Sequence, residues 1–180
     1  MNTSKKIDEE ELIFQYSILV NYNIDSCRST AKVDMFDHID LFLGNGTSVD
    51  VKRQKRINIY DKEYSTVYTW IELKNVRGNP GWLYGKASHI AFALEDHYIV
   101  VDRLSIVKWI ESILNKYNLI TDGKYNISVR NKSYVPYKIY TRNKPNNNTH
   151  DKNILVEISE LKKLNHVILK RDADKLSKKS

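Results

Sequence analysis

The chain has one cysteine, Cys27, in 180 residues, which excludes an internal disulfide and any cysteine zinc cluster. No run approaches the roughly eighteen apolar residues of a membrane-spanning helix. The opening Met1-Asn2-Thr3-Ser4-Lys5-Lys6 leads into acidic residues rather than an apolar stretch, so no signal peptide is expected. Internal repeats, a P-loop, a Rossmann glycine pattern and a nucleophile elbow are all missing. These absences predict a cytoplasmic protein with none of the common nucleotide or hydrolase signatures.

What is present is ordinary in amount: 41% hydrophobic and 28% charged residues. That balance suits a single globular domain with a sizeable core, expected over residues 1–172, and a basic frayed tail over 173–180. The formal charge of +7 favours polyanionic partners over acidic ones. A bias towards Lys, Asn, Ile and Tyr from an AT-rich genome would produce the same excess.

The most informative stretch is His38-Ile39-Asp40-Leu41-Phe42-Leu43, Gly44-Asn45-Gly46, then Thr47-Ser48-Val49-Asp50-Val51-Lys52. Two alternating runs about a Gly-Asn-Gly turn predict a β-hairpin. A three-residue turn pairs Leu43 with Thr47, Leu41 with Val49 and Ile39 with Val51, and sets Asp40 opposite Asp50. A one-residue slip would put carboxylates against valines. Like charges directly opposite cost roughly 0.2–1 kcal/mol, so a divalent cation is the expected compensation. Mg²⁺ is commonly held by one or two carboxylates with water and phosphate completing its shell. Lys52 shares the face of Asp50 and would steady charge on a phosphate. The competing reading is a solvated polar face on an ordinary hairpin.

Asp40, then Asp50-Val51-Lys52 about ten residues on, resembles the core of the PD-(D/E)XK nuclease superfamily, over roughly Glu9 to Arg103. Ile39 stands where the superfamily often has proline. The Gly81-Trp82-Leu83-Tyr84-Gly85-Lys86 block is similar to one in small phage and bacterial proteins with such a hairpin. The resemblance implies an α/β or α+β fold with a mixed central sheet. It also implies Mg²⁺ or Mn²⁺ on Asp40 and Asp50, with the Val51 carbonyl as a further ligand, and Lys52 assisting phosphodiester hydrolysis. An acidic residue from the first helix often approaches the metal; Glu9 is the first choice for that role, with a charge that serves the helix dipole as the preferred reading.

Along the chain, Leu12, Ile13, Tyr16, Leu19 and Val20 predict a helix over Asp8–Val20, capped by Thr3 or Ser4, with Glu9 on its inward stripe. Residues 25–37 read as a plain polar loop, with phosphate contact by Arg28, Ser29 and Thr30 as the competing reading. His38 shares the face of Asp40. Gln54 continues the parity of Asp50 and Lys52, which would let it orient water or phosphate. Val67–Leu73 predicts a strand; it creates a rival motif, Asp61 with Glu72-Leu73-Lys74, and Glu72 would join the site if its strand neighbours Asp50. Residues 75–86 hold half of the six glycines. Arg77, Trp82, Tyr84 and Lys86 there, with Lys74 just before them, mix charge with stacking surface, as nucleic-acid channels do. A tight turn whose aromatics cap the core is the competing reading. Further strands are expected at Tyr98–Val101, Ile154–Ile158 and His166–Lys170, strand-like runs within Ile127–Tyr140, and a helix at Leu104–Leu119 on the stripe Leu104, Val107, Ile110, Ile113 and Leu114.

The expected function is a metal-dependent endo- or exonuclease acting on DNA in preference to RNA. The alternatives are a non-catalytic basic module, such as a phage accessory protein that binds nucleic acid or protein, and an RNA-directed nuclease.

Overall fold

A computed structural model of the chain describes residues 8–57, 61–116, 136–140 and 151–173. The fold is mixed α/β, with a six-stranded mixed sheet, a second three-stranded sheet and four α-helices among the described residues. Contacts divide it into two compact units, one from residues 1–54, 86–103 and 164–180, the other from 55–85 and 104–163.

The first unit opens with α1 (Glu9–Tyr22). Asp8 caps it by accepting from the Glu10 N–H at 2.9 Å, and three acidic residues in the first turn suit the positive end of the helix. Asn23 ends it in the left-handed conformation, at φ 54°. Its buried face is Glu11, Ile13, Phe14, Ser17 and Ile18, whereas Leu19 and Val20 are exposed. This face is rotated from the stripe read in the sequence, and Glu9 is exposed rather than inward. The polar Ser17 sits within the buried stripe because its hydroxyl donates to the Ile13 carbonyl and accepts from the Asp172 N–H.

Residues 25–37 are not a loop. They form β1 (Ser26–Arg28) and α2 (Ala31–Asp37), with Thr30 accepting from the Val33 N–H as N-cap and His38 closing α2 at φ 52°. Then come β2 (Leu41–Leu43) and β3 (Ser48–Lys52), followed after an excursion into the second unit by β5 (His89–Ala93), β6 (His97–Asp102) and β9 (His166–Lys170). The sheet order is β1-β2-β3-β5-β6-β9. Every pairing is antiparallel except β3 with β5. A parallel pair needs a crossover, and residues 53–88 supply it. One sheet face carries Val49, Val51, Ala91, Ala93 and Tyr98 into a core with Ile13, Phe14 and Ile18 of α1. Phe14 meets Tyr98 edge-on at 5.0 Å between centroids.

In the second unit β4 (Tyr68–Lys74) pairs with β8 (Lys152–Glu157), which pairs with β7 (Ile139–Tyr140). Thr69, Ile71 and Leu73 are buried, matching the alternation in the sequence. A single 3-10 turn covers Trp82–Tyr84. Helix α3 (Arg103–Lys116) buries Ile106, Ile110 and Ile113 and leaves Leu104 exposed, a phase shifted from the expected stripe. Short α4 (Ile158–Leu161) follows β8. Of the expected strand-like runs in 127–140 only 136–140 is described; residues 117–119 of the expected helix Leu104–Leu119, the tail residues 174–180 and the Thr3 and Ser4 cap candidates lie outside the described residues.

Candidate metal centre

The hairpin has the register that its turn dictates: Leu41 faces Val49, Phe42 faces Ser48, and the Leu43 N–H donates to the Thr47 carbonyl at 2.8 Å. Gly46 takes φ +87°, the left-handed position of the turn. Extending the register brings Asp40 opposite Asp50, but the ladder changes there. The Asp40 N–H donates to the Val49 carbonyl at 2.9 Å, and the Asp40 carboxylate accepts the Val51 N–H at 2.8 Å. A side chain thus takes the place of a ladder carbonyl, and its oxygen is fixed by backbone.

Ser29 secures the same residue from the other side. Its N–H donates to the Asp40 carbonyl at 2.8 Å and its hydroxyl to the Ile39 carbonyl. Ser29 is thus neither a plain loop residue nor placed by the sequence, because β1, which aligns it beside Asp40, leaves no apolar pattern to read. The signal was weak: Ser26-Cys27-Arg28 has no apolar alternation.

Asp50 lies on a strand with neighbours on both sides and is 2% exposed; Asp40 is 7% exposed. A solvated polar face is therefore excluded. Asp40 stands opposite Asp50 in the extended register, and its charge acts on the Asp50 carboxyl. Lys52 Nζ sits 2.6 Å from Asp50 Oδ1, as the shared parity allows, while Asp50 Oδ2 is buried with no hydrogen-bond partner among the described residues. Two ionised carboxylates offer no donor to one another, so a shared proton or a cation would satisfy this oxygen. Burial pushes the Asp50 carboxyl up to about 7; the Lys52 ammonium pulls against that shift and the Asp40 charge adds to it.

The donor set suits a hard divalent ion: two carboxylates, one orphaned oxygen, no sulfur or imidazole. Among the described residues no group of three or more His, Cys, Asp and Glu side chains comes together, so the fit is to an ion that keeps much of its water.

Gln54 lies two residues beyond the end of β3 and is half-buried. Glu9 is exposed; the buried acid of α1 is Glu11, ion-paired to Arg28 at 2.8 Å, which removes Arg28 from the expected phosphate contacts. Glu72 lies on β4, in the other sheet, so its strand is not paired with β3; its carboxylate accepts the Trp82 N–H at 3.2 Å. Asp61 of the rival motif is exposed. Trp82 is buried, as a core-capping aromatic would be, while Tyr84 is exposed. Lys74 is half-buried and Arg77 exposed. Lys86 is exposed and paired to Asp37 at 2.8 Å, a surface contact of small energy. His38 is the C-cap of α2 rather than a strand residue.

The chain matches no protein-family model, no curated protein and no solved structure.

Proposed function

We propose that the chain is a metal-dependent phosphodiesterase that cleaves DNA in the cytoplasm, similar to the PD-(D/E)XK nucleases. The observation that carries this reading is two buried carboxyls set opposite one another by the hairpin register, with one Asp50 oxygen lacking a hydrogen-bond partner among the described residues. Burying such a pair without compensation costs several kcal/mol, on the order of the known penalty for an unpaired buried charge. Asp40 and Asp50 would hold Mg²⁺ or Mn²⁺, which, when bound, supplies Lewis acidity and a water activated at neutral pH.

The chain's own residues supply the rest. The Val51 N–H and Ser29 hold Asp40 still, so its carboxylate needs no reorganisation to meet a cation. Lys52, about one-fifth exposed, keeps an ammonium beside the carboxyls and meets charge that builds on a phosphate. Asp50 aims Lys52 through its 2.6 Å contact.

One observation favours a second reading. An ion pair such as Asp50–Lys52 is also how a chain neutralises a purely structural buried acid, which fits a non-catalytic basic module binding nucleic acid or protein. Labelled DNA and RNA incubated in parallel with Mg²⁺, Mn²⁺ or a chelator separate the readings. Metal-dependent cleavage of DNA supports the nuclease, and cleavage of RNA alone moves the activity to RNA. No cleavage with either metal, together with identical behaviour of Asp50→Asn, assigns the chain to the non-catalytic class.

A further inference from the structure

The helix that leads into the acid pair buries none of its residues. On α2, Lys32, Met35 and Phe36 are all exposed and lie at i, i+3 and i+4, the spacing that places side chains on one helix face. Phe36 is 69% exposed and Met35 61%, the highest values among the exposed large hydrophobics. The acidic Asp34 and Asp37 sit off this face and are half-buried, and Asp37 is neutralised by Lys86. The outward face is therefore one cation beside an aromatic ring and a thioether.

Its size decides between occupants. Seven residues of helix present a face about 10 Å long. A Phe ring with a neighbouring Met offers at most roughly 300–400 Å², about half of the approximately 800 Å² per partner in a stable protein interface. One nucleobase and its phosphate need no more than this, and they match the face in chemistry: ring on ring, ammonium on phosphate. Position agrees. Phe36 is four residues from Asp40, so their Cα atoms are separated by at most about 14 Å. That is about four nucleotide steps of a stacked strand.

We propose that Lys32, Met35 and Phe36 of α2 form a stacking platform for an unpaired base of single-stranded or frayed DNA close to the bond that the acid pair addresses. The inference rests on the nucleic-acid reading above and narrows its substrate. A base paired within an intact duplex shows only its edges, so a projecting ring engages it only after unstacking; an unpaired base offers its π-face directly.

The test is fluorescence polarisation with labelled single-stranded and blunt duplex DNA of equal length, in chelator so that no cleavage intervenes. Phe36 is too exposed for its replacement to threaten the fold. Phe36→Ala weakens single-strand binding about ten-fold or more, the scale of one lost base–aromatic stack. Duplex affinity changes less than two-fold, and Phe36→Trp restores binding with quenching of its own indole emission on adding single strand. Equal affinity of wild type and Phe36→Ala for single strand overturns the proposal. So does an equal loss on both DNA forms, or a change only in self-association by light scattering, which makes the face a contact between copies. Failure here is separable from failure of the nuclease. Metal-dependent cleavage with unaltered Phe36→Ala binding sinks the platform alone; Phe36-dependent binding with no cleavage sinks the nuclease alone.

Discussion

Replacing Asp50 by Asn removes one negative charge and keeps the shape. An ordinary aspartate titrates at 3.8, and burial beside Asp40 raises Asp50 to about 7. The sign follows from where the proton is held. Below pH about 4 the carboxyl is protonated in both folded and unfolded chains, and folding bears no penalty. Between about 4 and 7 the folded state alone keeps the proton, so stability falls as pH rises. Above 7 the folded carboxyl ionises too, and the full penalty stands. About three pK units correspond to roughly 4 kcal/mol. Asn carries no such term, and its amide donates to Asp40, although it leaves the Lys52 ammonium without its carboxylate.

Metal-free wild type should therefore lose up to about 4 kcal/mol relative to Asp50→Asn between pH 4 and pH 8. For a chain of this size that is a relative Tm change on the order of 10 °C. Urea unfolding of both proteins at the two pH values, in chelator, measures the difference directly. Mg²⁺ added at pH 8 should then raise the midpoint of wild type and leave that of the variant unmoved, because an ion stabilises only the state that binds it. A stability difference independent of pH refutes the electrostatics assigned to the pair, and an equal Mg²⁺ response in both proteins refutes the metal centre.

Lys52→Ala should lower turnover about 10²–10³-fold with little change in the Mg²⁺ concentration required, the scale of one lost preorganised contact; an unchanged rate removes Lys52 from the chemistry. If Lys74, Arg77 and Lys86 contact phosphates, each Ala replacement should flatten the log–log salt dependence of duplex binding by about 0.9, and salt-insensitive binding refutes the role. Gly81→Ala should destabilise by about 1–3 kcal/mol, since its Cβ would lie 2.4 Å from the Glu72 carbonyl oxygen and force backbone apart. An unchanged urea midpoint would show that this turn yields easily.

The hairpin was legible because a Gly-Asn-Gly turn between two alternating runs admits one register that buries Leu41 and Val49 together, and those residues do face each other fully buried. Helix α2 was not, since seven residues with no buried side chain leave no apolar period to read. The rotation of α1 escaped for a related reason: its inward face includes Ser17 and Glu11, whose burial depends on the Ser17 bond to the Asp172 N–H and the Glu11 pair with Arg28. The chemistry of the acid pair depends on a still less local event. On an isolated hairpin, facing carboxylates would be wet and cost at most about 1 kcal/mol. Strand β5, residues 89–93, docks parallel to β3 and sets Ile90 beside Asp50 and Phe92 beside Lys52. Desolvation on that central strand is what raises the Asp50 carboxyl and makes an orphaned oxygen costly. Residues 38–52 contain both acids but not the strand that buries them, so spacing identified the pair while its electrostatics waited on the topology.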